Sequence, residues 1–444
     1  MGELDDLFKP MLKHWSNHSG EEGARVGCAL VCLQSDRRWE LDGHKRFVPA
    51  SNNKIWTTLM ALNKLGPEYR WITKFGIQGG TLYIQGGGDP SFDEAAAFQV
   101  AQSFKKQGVN KLQGPVILDD KRHQDAPWGT GWMWDDLSQG YCAPVHALIM
   151  ERNRITFHLN PSLDQPQIQR ISPRLCQAWA KVNLHWSDDK DAEPNIFQRS
   201  GSGQYRLEGE VFRGDPMVQV AVASGPNFFA EVFLNVMREC GINVSENIQV
   251  IPGSFPDQVD QIMLWKSAPL KSILPWVNQD SDNLVAEILL RSLSLNDQNN
   301  LSLHEGIQRL RQGWEEESVR PPDAFVDGSG LSMYNLSTPN ALLEALIWAC
   351  QEHPWFSVWI NSLACYGHSG TLKDRKMELP EKVKVVAKTG SLTGVKSLSG
   401  YFLFNGEPAY AFSLLINGLL NEKNGEQLQD QFIKLVASTV YSSS

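Results

Sequence analysis

Residues 49–59 read Pro49-Ala50-Ser51-Asn52-Asn53-Lys54-Ile55-Trp56-Thr57-Thr58-Leu59. Pro49-Ala50-Ser51 opens a helix predicted over 52–65, because Ile55, Leu59 and Leu62 fall at helical spacing. Positions i and i+3 share a helix face, so Lys54 can reach the Ser51 hydroxyl. A serine alone is a poor nucleophile and needs such a neighbour. A neutral lysine takes the proton, and the positive end of the helix favours an oxyanion over a second cation. Ser51 is equally suited to cap the helix. The SxxK pattern also recurs at Ser103-Phe104-Lys105-Lys106 and Ser187-Asp188-Asp189-Lys190, in polar surroundings that read as surface. The motif therefore needs support from elsewhere in the chain.

Upstream, residues 3–18 read as an amphipathic helix with Pro10 inside it. Residues 25–34 are strand-like, and 39–48 return as a second strand after a Ser35-Asp36-Arg37-Arg38 turn. From about residue 70 the texture becomes short alternating strands, glycine turns and one polar helix over 92–107, and it stays β-rich past residue 250. Helical spacing resumes near Leu270 and is clear over 283–293. A strand over 383–387 precedes two more, 398–404 and 409–416, joined at Asn405-Gly406, and a helix over 427–440 closes the chain. Two helical stretches and a C-terminal antiparallel sheet predict an α+β catalytic domain from residues 1–69 plus 262–444. Residues 70–261 are an inserted β-rich region of two nested subdomains.

Two further motifs fall in the C-terminal part. Ser281-Asp282-Asn283 opens the 283–293 helix. Its second hydroxyl can relay a proton to a leaving amine. The Asn283 amide both donates and accepts, so it can hold a peptide backbone and the lysine at once. Asp280 or Ser281 would also cap the helix, and SxN recurs at Ser245 and Ser294. Lys388-Thr389-Gly390-Ser391 ends a strand. Lys388 and the two hydroxyls can bind a carboxylate, and Gly390 lets a substrate chain lie along the strand edge. The Ser391 and Ser51 N–H groups can pair as an oxyanion hole.

SxxK, SDN and KTG in this order are the known signature of penicillin-binding proteins and class A β-lactamases. With Ser281 placed 230 positions after Ser51, the chain resembles the D-alanyl-D-alanine carboxypeptidase/endopeptidase family, the low-molecular-mass class C penicillin-binding proteins of peptidase family S13. Tyr83-Ile84-Gln85-Gly86-Gly87-Gly88-Asp89-Pro90-Ser91 is similar to that family's LYLxGxGDPT/S segment. Trp132-Met133-Trp134-Asp135-Asp136-Leu137 and Ala143-Pro144-Val145-His146-Ala147-Leu148 resemble its WxWDDL and APVSAL stretches. Asp327-Gly328-Ser329-Gly330-Leu331-Ser332 resembles DGSGLS, and Gly367-His368-Ser369-Gly370-Thr371-Leu372 resembles GxxGTL. The chain departs from the family at Met333, where arginine often follows, and at His146, where serine is common.

The resemblance implies a penicillin-binding/β-lactamase-like transpeptidase domain: an antiparallel sheet with helices on both faces, interrupted by the β-rich insertion. It implies a serine D,D-peptidase that cleaves peptidoglycan stem peptides outside the cytoplasm, in the periplasm, and is acylated by β-lactam antibiotics. Ser51, Lys54, Ser281 and Asn283 are then catalytic. Lys388, Thr389, Gly390 and Ser391 bind substrate, and Asp136 reads the amino group of the third stem residue. A class A β-lactamase would carry a deacylating glutamate between Asn283 and Lys388, and none fits; Glu193-Pro194-Asn195 falls before SDN. A catalytically silent wall-binding scaffold and a general esterase are the remaining alternatives.

The rest of the sequence excludes other chemistry. A net charge of −9 speaks against nucleic acid as the main partner. No apolar run is long enough for a transmembrane segment. Met1-Gly2-Glu3-Leu4-Asp5-Asp6 lacks the features of a signal peptide, so the chain is expected to be cytoplasmic or to start after a removed signal. The ten histidines form no HExxH and no ligand cluster, and no metal or cofactor is expected. The seven cysteines include no CxxC, and free cysteine's usual burial predicts buried thiols for most of them.

Overall fold

The computed structural model describes residues 2–442 apart from 124, 191, 199–202, 295–300, 352 and 376. Its centre is a six-stranded antiparallel sheet. The strand order is Ala364–Cys365, Val383–Leu392, Val395–Phe404, Glu407–Asn417, Arg25–Cys32, Arg38–Leu41. N- and C-terminal segments thus meet in one sheet. The Asn405-Gly406 turn has both residues at positive φ, 53° and 92°, as a two-residue hairpin requires.

Helices cover both faces, which is why the inner strands read as nearly unbroken apolar runs. On one face the helices Gly2–Ser19 and Glu422–Ser442 bury Phe8, Trp15, Phe432 and Ile433 against Cys28, Leu30, Phe402 and Phe412. On the other face Asn53–Leu65 runs through the middle of a core shared with Leu270–Asn278, Asn283–Ser292 and Pro339–Ala349. Every residue from Asn53 to Leu62 is buried. The nucleophile helix is therefore set by packing on all sides and not by a single amphipathic stripe.

Between Leu65 and Leu270 the chain builds separate sheets. A five-stranded mixed sheet runs Val250–Pro252, Val116–Asp119, Thr81–Gln85, Ile72–Gln78, Gln261–Lys266. Two three-stranded sheets join it, one centred on Gln204–Phe212 and one on Arg154–Leu159. The helices Glu94–Lys106 and Gly225–Glu239 pack together in the same core, with Phe75, Phe92, Phe229 and Phe233 in ring contact.

Several local expectations change. The strand expected over 383–387 continues to Leu392, because Lys388 to Leu392 keep pairing with Ser399 to Val395. The KTG motif therefore lies within a strand. The return strand expected over 39–48 stops at Leu41, where Asp42 turns at φ 49°. The helix Gly225–Glu239 interrupts the β-rich stretch. Only Cys28 and Cys142 of the seven free cysteines are fully buried; the other five are half-buried, because Cys32 and Cys365 end strands, Cys240 and Cys350 end helices and Cys176 lies in a loop, all at the margins of the cores.

Candidate active site

Ser51 does not sit in the α-helix. It occupies a single 3-10 turn, Ala50–Asn52, that feeds the helix starting at Asn53. Residues i and i+3 eclipse in such a turn, and Lys54 Nζ lies 2.8 Å from Ser51 Oγ. Ser51 makes no side-chain cap for the helix that follows; Asn52 is at the cap position. Ala50 is held at φ 47°. A left-handed non-glycine residue costs about 1–3 kcal/mol and persists only where its surroundings impose it.

The surroundings are explicit. Asn52 Nδ2 donates to the Lys388 carbonyl at 2.8 Å, and Ser397 Oγ donates to the Pro49 carbonyl at 2.7 Å. A Cβ on Gly390 would lie 2.2 Å from Ser397 Oγ and 2.8 Å from the Ser51 nitrogen. Glycine there lets the strand press against the Ser51 amide. Gly330, at φ 80°, closes the other side: a Cβ on it would stand 1.9 Å from the Ala50 oxygen. Gly330→Ala combines left-handed strain with a backbone clash, and is expected to cost about 2–5 kcal/mol and to move Ser51. Thermal melting and penicillin acylation together measure this; an unchanged melting temperature would contradict it.

Lys54 is fully buried, and Nζ has two neighbours besides Ser51: Asn283 Oδ1 and the Ser329 carbonyl, both at 2.6 Å. The Asn283 orientation follows from its other end, where Nδ2 donates to the Tyr141 carbonyl at 2.9 Å. Two of the three neighbours are thus acceptors only. A neutral amine has two N–H bonds and one lone pair. Its hydrogens go to Asn283 and Ser329, and the lone pair faces the Ser51 hydroxyl. Burial drives the Lys54 amine down to about 7, against the opposing pull of Asp327, Asp282 and Glu287.

SDN and KTG meet at a second contact. Lys388 Nζ donates to Ser281 Oγ at 3.0 Å and to the Thr389 carbonyl at 2.8 Å. Lys388 is fully buried, and burial followed by the Lys54 charge holds it well below its ordinary value. Its amine thus bridges Ser281 and the carbonyl of the next residue on its own strand. Thr389 and Ser391 carry the hydroxyls of the more open pleat: Thr389 Oγ1 is 2.6 Å from Thr371 Oγ1, and Ser391 Oγ accepts from Lys396 Nζ at 3.1 Å. The neighbouring strand Ala364–Cys365 pairs only with Ala387 and Val386, so the edge from Lys388 onward has no strand partner among the described residues.

Ser281 is itself left-handed, at φ 62°. The cap of the following helix is Asp282, not Asp280 or Ser281: its carboxylate accepts from the Val285 nitrogen at 3.1 Å. Arg154 and Arg152 also face Asp282, at 2.7 and 3.4 Å, and with that cap bond they hold it below the usual carboxylate range although burial acts the other way. Asp136 Oδ1 accepts from the Tyr141 hydroxyl at 2.7 Å, and the carbonyl of the same Tyr141 accepts from Asn283 Nδ2. A cavity of about 400 Å³ opens beside Ser281 and Asn283, walled by Tyr141, Arg154, Asp280 and Glu193. Glu193 precedes SDN in sequence, yet the fold brings it to this cleft.

The other SxxK lysines lie elsewhere. Lys106 and Lys190 are exposed, and Lys190 faces Glu426 at 3.7 Å. Of the chance SxN matches, Asn296 after Ser294 lies outside the described residues. Met333 is at the surface, and His146 pairs with Asp120 at 2.7 Å. No group of three His, Cys, Asp or Glu side chains is placed to hold a metal among the described residues.

A family model described as the D-Ala-D-Ala carboxypeptidase 3 (S13) family matches residues 12–439. D-alanyl-D-alanine carboxypeptidase DacB of Haemophilus influenzae is 26% identical over 423 residues, covering 89% of this chain and 86% of that protein. Penicillin-sensitive carboxypeptidase A of Dictyostelium discoideum is 24% identical, covering 91% of this chain and 84% of its own length. The crystal structure of penicillin binding protein 4 (dacB) from Haemophilus influenzae has the same fold, with a TM-score of 0.78 at 23% identity over 94% of this chain and 97% of that one. The expected α+β penicillin-binding architecture is the one observed. With its motifs assembled on that fold and the family model spanning nearly its whole length, the chain belongs to the D-Ala-D-Ala carboxypeptidase 3 (S13) family of serine-type carboxypeptidases.

Proposed function

We propose that this serine D,D-carboxypeptidase works through an acyl-enzyme on Ser51 and that β-lactams are trapped on the same serine. The observation that carries the reading is the Lys54 amine, buried between two acceptors with its remaining valence toward Ser51 Oγ. The substrate is a peptidoglycan stem ending in D-Ala-D-Ala, or a D-Ala joined to a diamino acid. The stem lies along the free edge of Val383–Leu392, and its terminal carboxylate is bound by Thr389 and Ser391 with Lys388 behind them. Lys54 takes the Ser51 proton as Oγ attacks the penultimate D-Ala carbonyl. The Ser51 and Ser391 N–H groups hold the oxyanion. Ser281, in contact with Lys388, returns a proton to the departing amine, and Asn283 orients the stem. Water then releases the shortened peptide. Support for the β-lactam part comes from a second structure of the Haemophilus influenzae protein, titled as a complex with a novel β-lactam.

The catalytic region is then residues 1–69 together with the chain after Lys266, five residues beyond the 261 boundary read from sequence, since Gln261–Lys266 belongs by pairing to the inserted sheet. An extracytoplasmic location follows from the substrate. Among the described residues no helix is long and apolar enough to cross a membrane. Asp136 is assigned to the amino group of the third stem residue, on the strength of its hydrogen bond with Tyr141, whose carbonyl Asn283 contacts.

The deciding experiment incubates the protein with defined uncrosslinked pentapeptide and D,D-crosslinked muropeptides. Release of D-Ala from the former is expected, and conversion of the latter to monomers reports endopeptidase action. No cleavage of either would sink the reading. Asp136→Asn is expected to weaken turnover of diaminopimelate stems more than lysine stems; equal loss on both would discard that assignment.

A further inference from the structure

The Ser51–Lys54 pair depends on a loop that no part of the chemistry above explains. Residues 327–330 lie between the helix Asn283–Ser292 and the Ser51 turn. A Cβ on Gly328 would stand 2.8 Å from the Ala286 oxygen, and a Cβ on Gly330 would overlap the Ala50 oxygen. The loop is thus pinned on both sides by backbone contact. Its Ser329 carbonyl is one of the two acceptors on Lys54.

The loop is held by one carboxylate from the neighbouring helix. Glu287 Oε1 accepts from the Gly328 nitrogen at 2.8 Å and from the Ser329 nitrogen at 2.9 Å. Its other oxygen takes Arg291 Nη1 at 2.6 Å, and both side chains are fully buried. Asp327 closes the loop from within, accepting from the Gly330 and Ser332 nitrogens, Asn335 Nδ2 and Trp132 Nε1.

We propose that Glu287 is a positioning residue for the catalytic lysine: by holding Gly328 and Ser329 it aims the Ser329 carbonyl at Lys54 Nζ, so that the amine presents its lone pair to Ser51. Without that carbonyl, one amine hydrogen is free to turn toward Ser51 Oγ, and the base becomes a donor to its own nucleophile. The Glu287 charge acts on Lys54 as well. The groups facing Lys54 are Asp327 from the loop, Asp282 and Glu287 from the helix, and Lys388 from the strand. Arg152 and Arg154 face Asp282, Arg291 faces Glu287, and Asp280 faces Lys388. The three carboxylates favour protonated Lys54, whereas burial, the largest effect, opposes it. Asp327 is raised to about 6, first by burial and then by Glu287, so it is largely ionised where Lys54 titrates. Loss of the Glu287 charge therefore lowers the pH at which Lys54 becomes neutral.

The inference rests on Lys54 being the base for Ser51, and the test separates the two. Benzylpenicillin acylation is followed from pH 5 to 9 in wild type, Ser51→Ala, Glu287→Asp, Glu287→Gln and the double variant Glu287→Gln/Arg291→Met. The double variant leaves no unpaired buried charge, which keeps it foldable. Glu287→Asp retains the charge but withdraws the carboxylate. It should lose about ten- to a hundredfold in rate with the acid limb unmoved, because small misplacements at a reacting centre have effects of that size. Glu287→Gln and the double variant should move the acid limb down by about half a pH unit or more. A Glu287→Asp enzyme with wild-type rates at every pH overturns the positioning role. Folded Gln variants with an unmoved limb overturn the electrostatic part. Acylation that persists in Ser51→Ala overturns the underlying mechanism instead.

Discussion

Ser51→Ala is expected to abolish covalent labelling by fluorescent penicillin and release of D-Ala, with rate losses of about 10⁴-fold or more, as for removal of the nucleophile in other serine hydrolases. The fold should be unaffected. The side-chain polar contact of Ser51 Oγ is with Lys54 Nζ, which keeps Asn283 and the Ser329 carbonyl when the hydroxyl is gone. The strained Ala50 turn is held by Asn52, Ser397 and Gly330, none of which touches the Ser51 side chain. The variant should therefore melt close to wild type while showing no adduct by mass spectrometry. Labelling at full level would place the nucleophile elsewhere. The serines of the other two SxxK patterns are poor substitutes, since their lysines are exposed.

Lys54→Ala is expected to lower acylation by about 10²–10⁴-fold, the range for removing a positioned general base. The same residue sets the pH profile. The neutral amine is the proposed base, and burial brings Lys54 down to about 7 from its ordinary 10.5. Acylation in the wild type should rise with pH through about 7 and level off above it; a profile flat from pH 5 to 8 would contradict this role. The linkage to stability has the same origin. The folded state gives up the Lys54 proton at lower pH than the unfolded chain does. The cost of burying this cation is therefore full below about 7 and is relieved as pH rises toward 10.5. Stability in Lys54→Ala should lose that part of its pH dependence.

Much of the candidate site was legible in the chain because its closest contacts are local. SxxK is an i, i+3 relation, and one helical turn of either kind brings Lys54 to Ser51. The Asn405-Gly406 hairpin is a two-residue conformational demand, met by residues that tolerate positive φ. The α+β class followed from two helical stretches and a C-terminal run of strands, and the family from short motifs in a fixed order.

What the local reading missed are relations across the chain. Lys388 was read for its place at a strand end, but the strand continues past it and its amine reaches Ser281, 107 residues away. Glu193 seemed misplaced before SDN, yet the inserted sheets return it to the cleft wall. Glu287 and Arg291 did leave a signal: an i, i+4 pair of opposite charges inside an otherwise apolar helix, which marks a buried ion pair. Their partner could not be read from the sequence, since the loop at 328–329 lies some forty residues further on.

For Ser51 and Lys54, then, sequence alone determined that the two side chains meet, because a helical turn is a property of neighbours. Tertiary structure decided the surroundings in which they meet. The buried amine, its two long-range acceptors and the glycines that admit neighbouring backbone against Ser51 arise from packing between segments hundreds of residues apart. Desolvation and hydrogen-bond direction exist only once those segments meet.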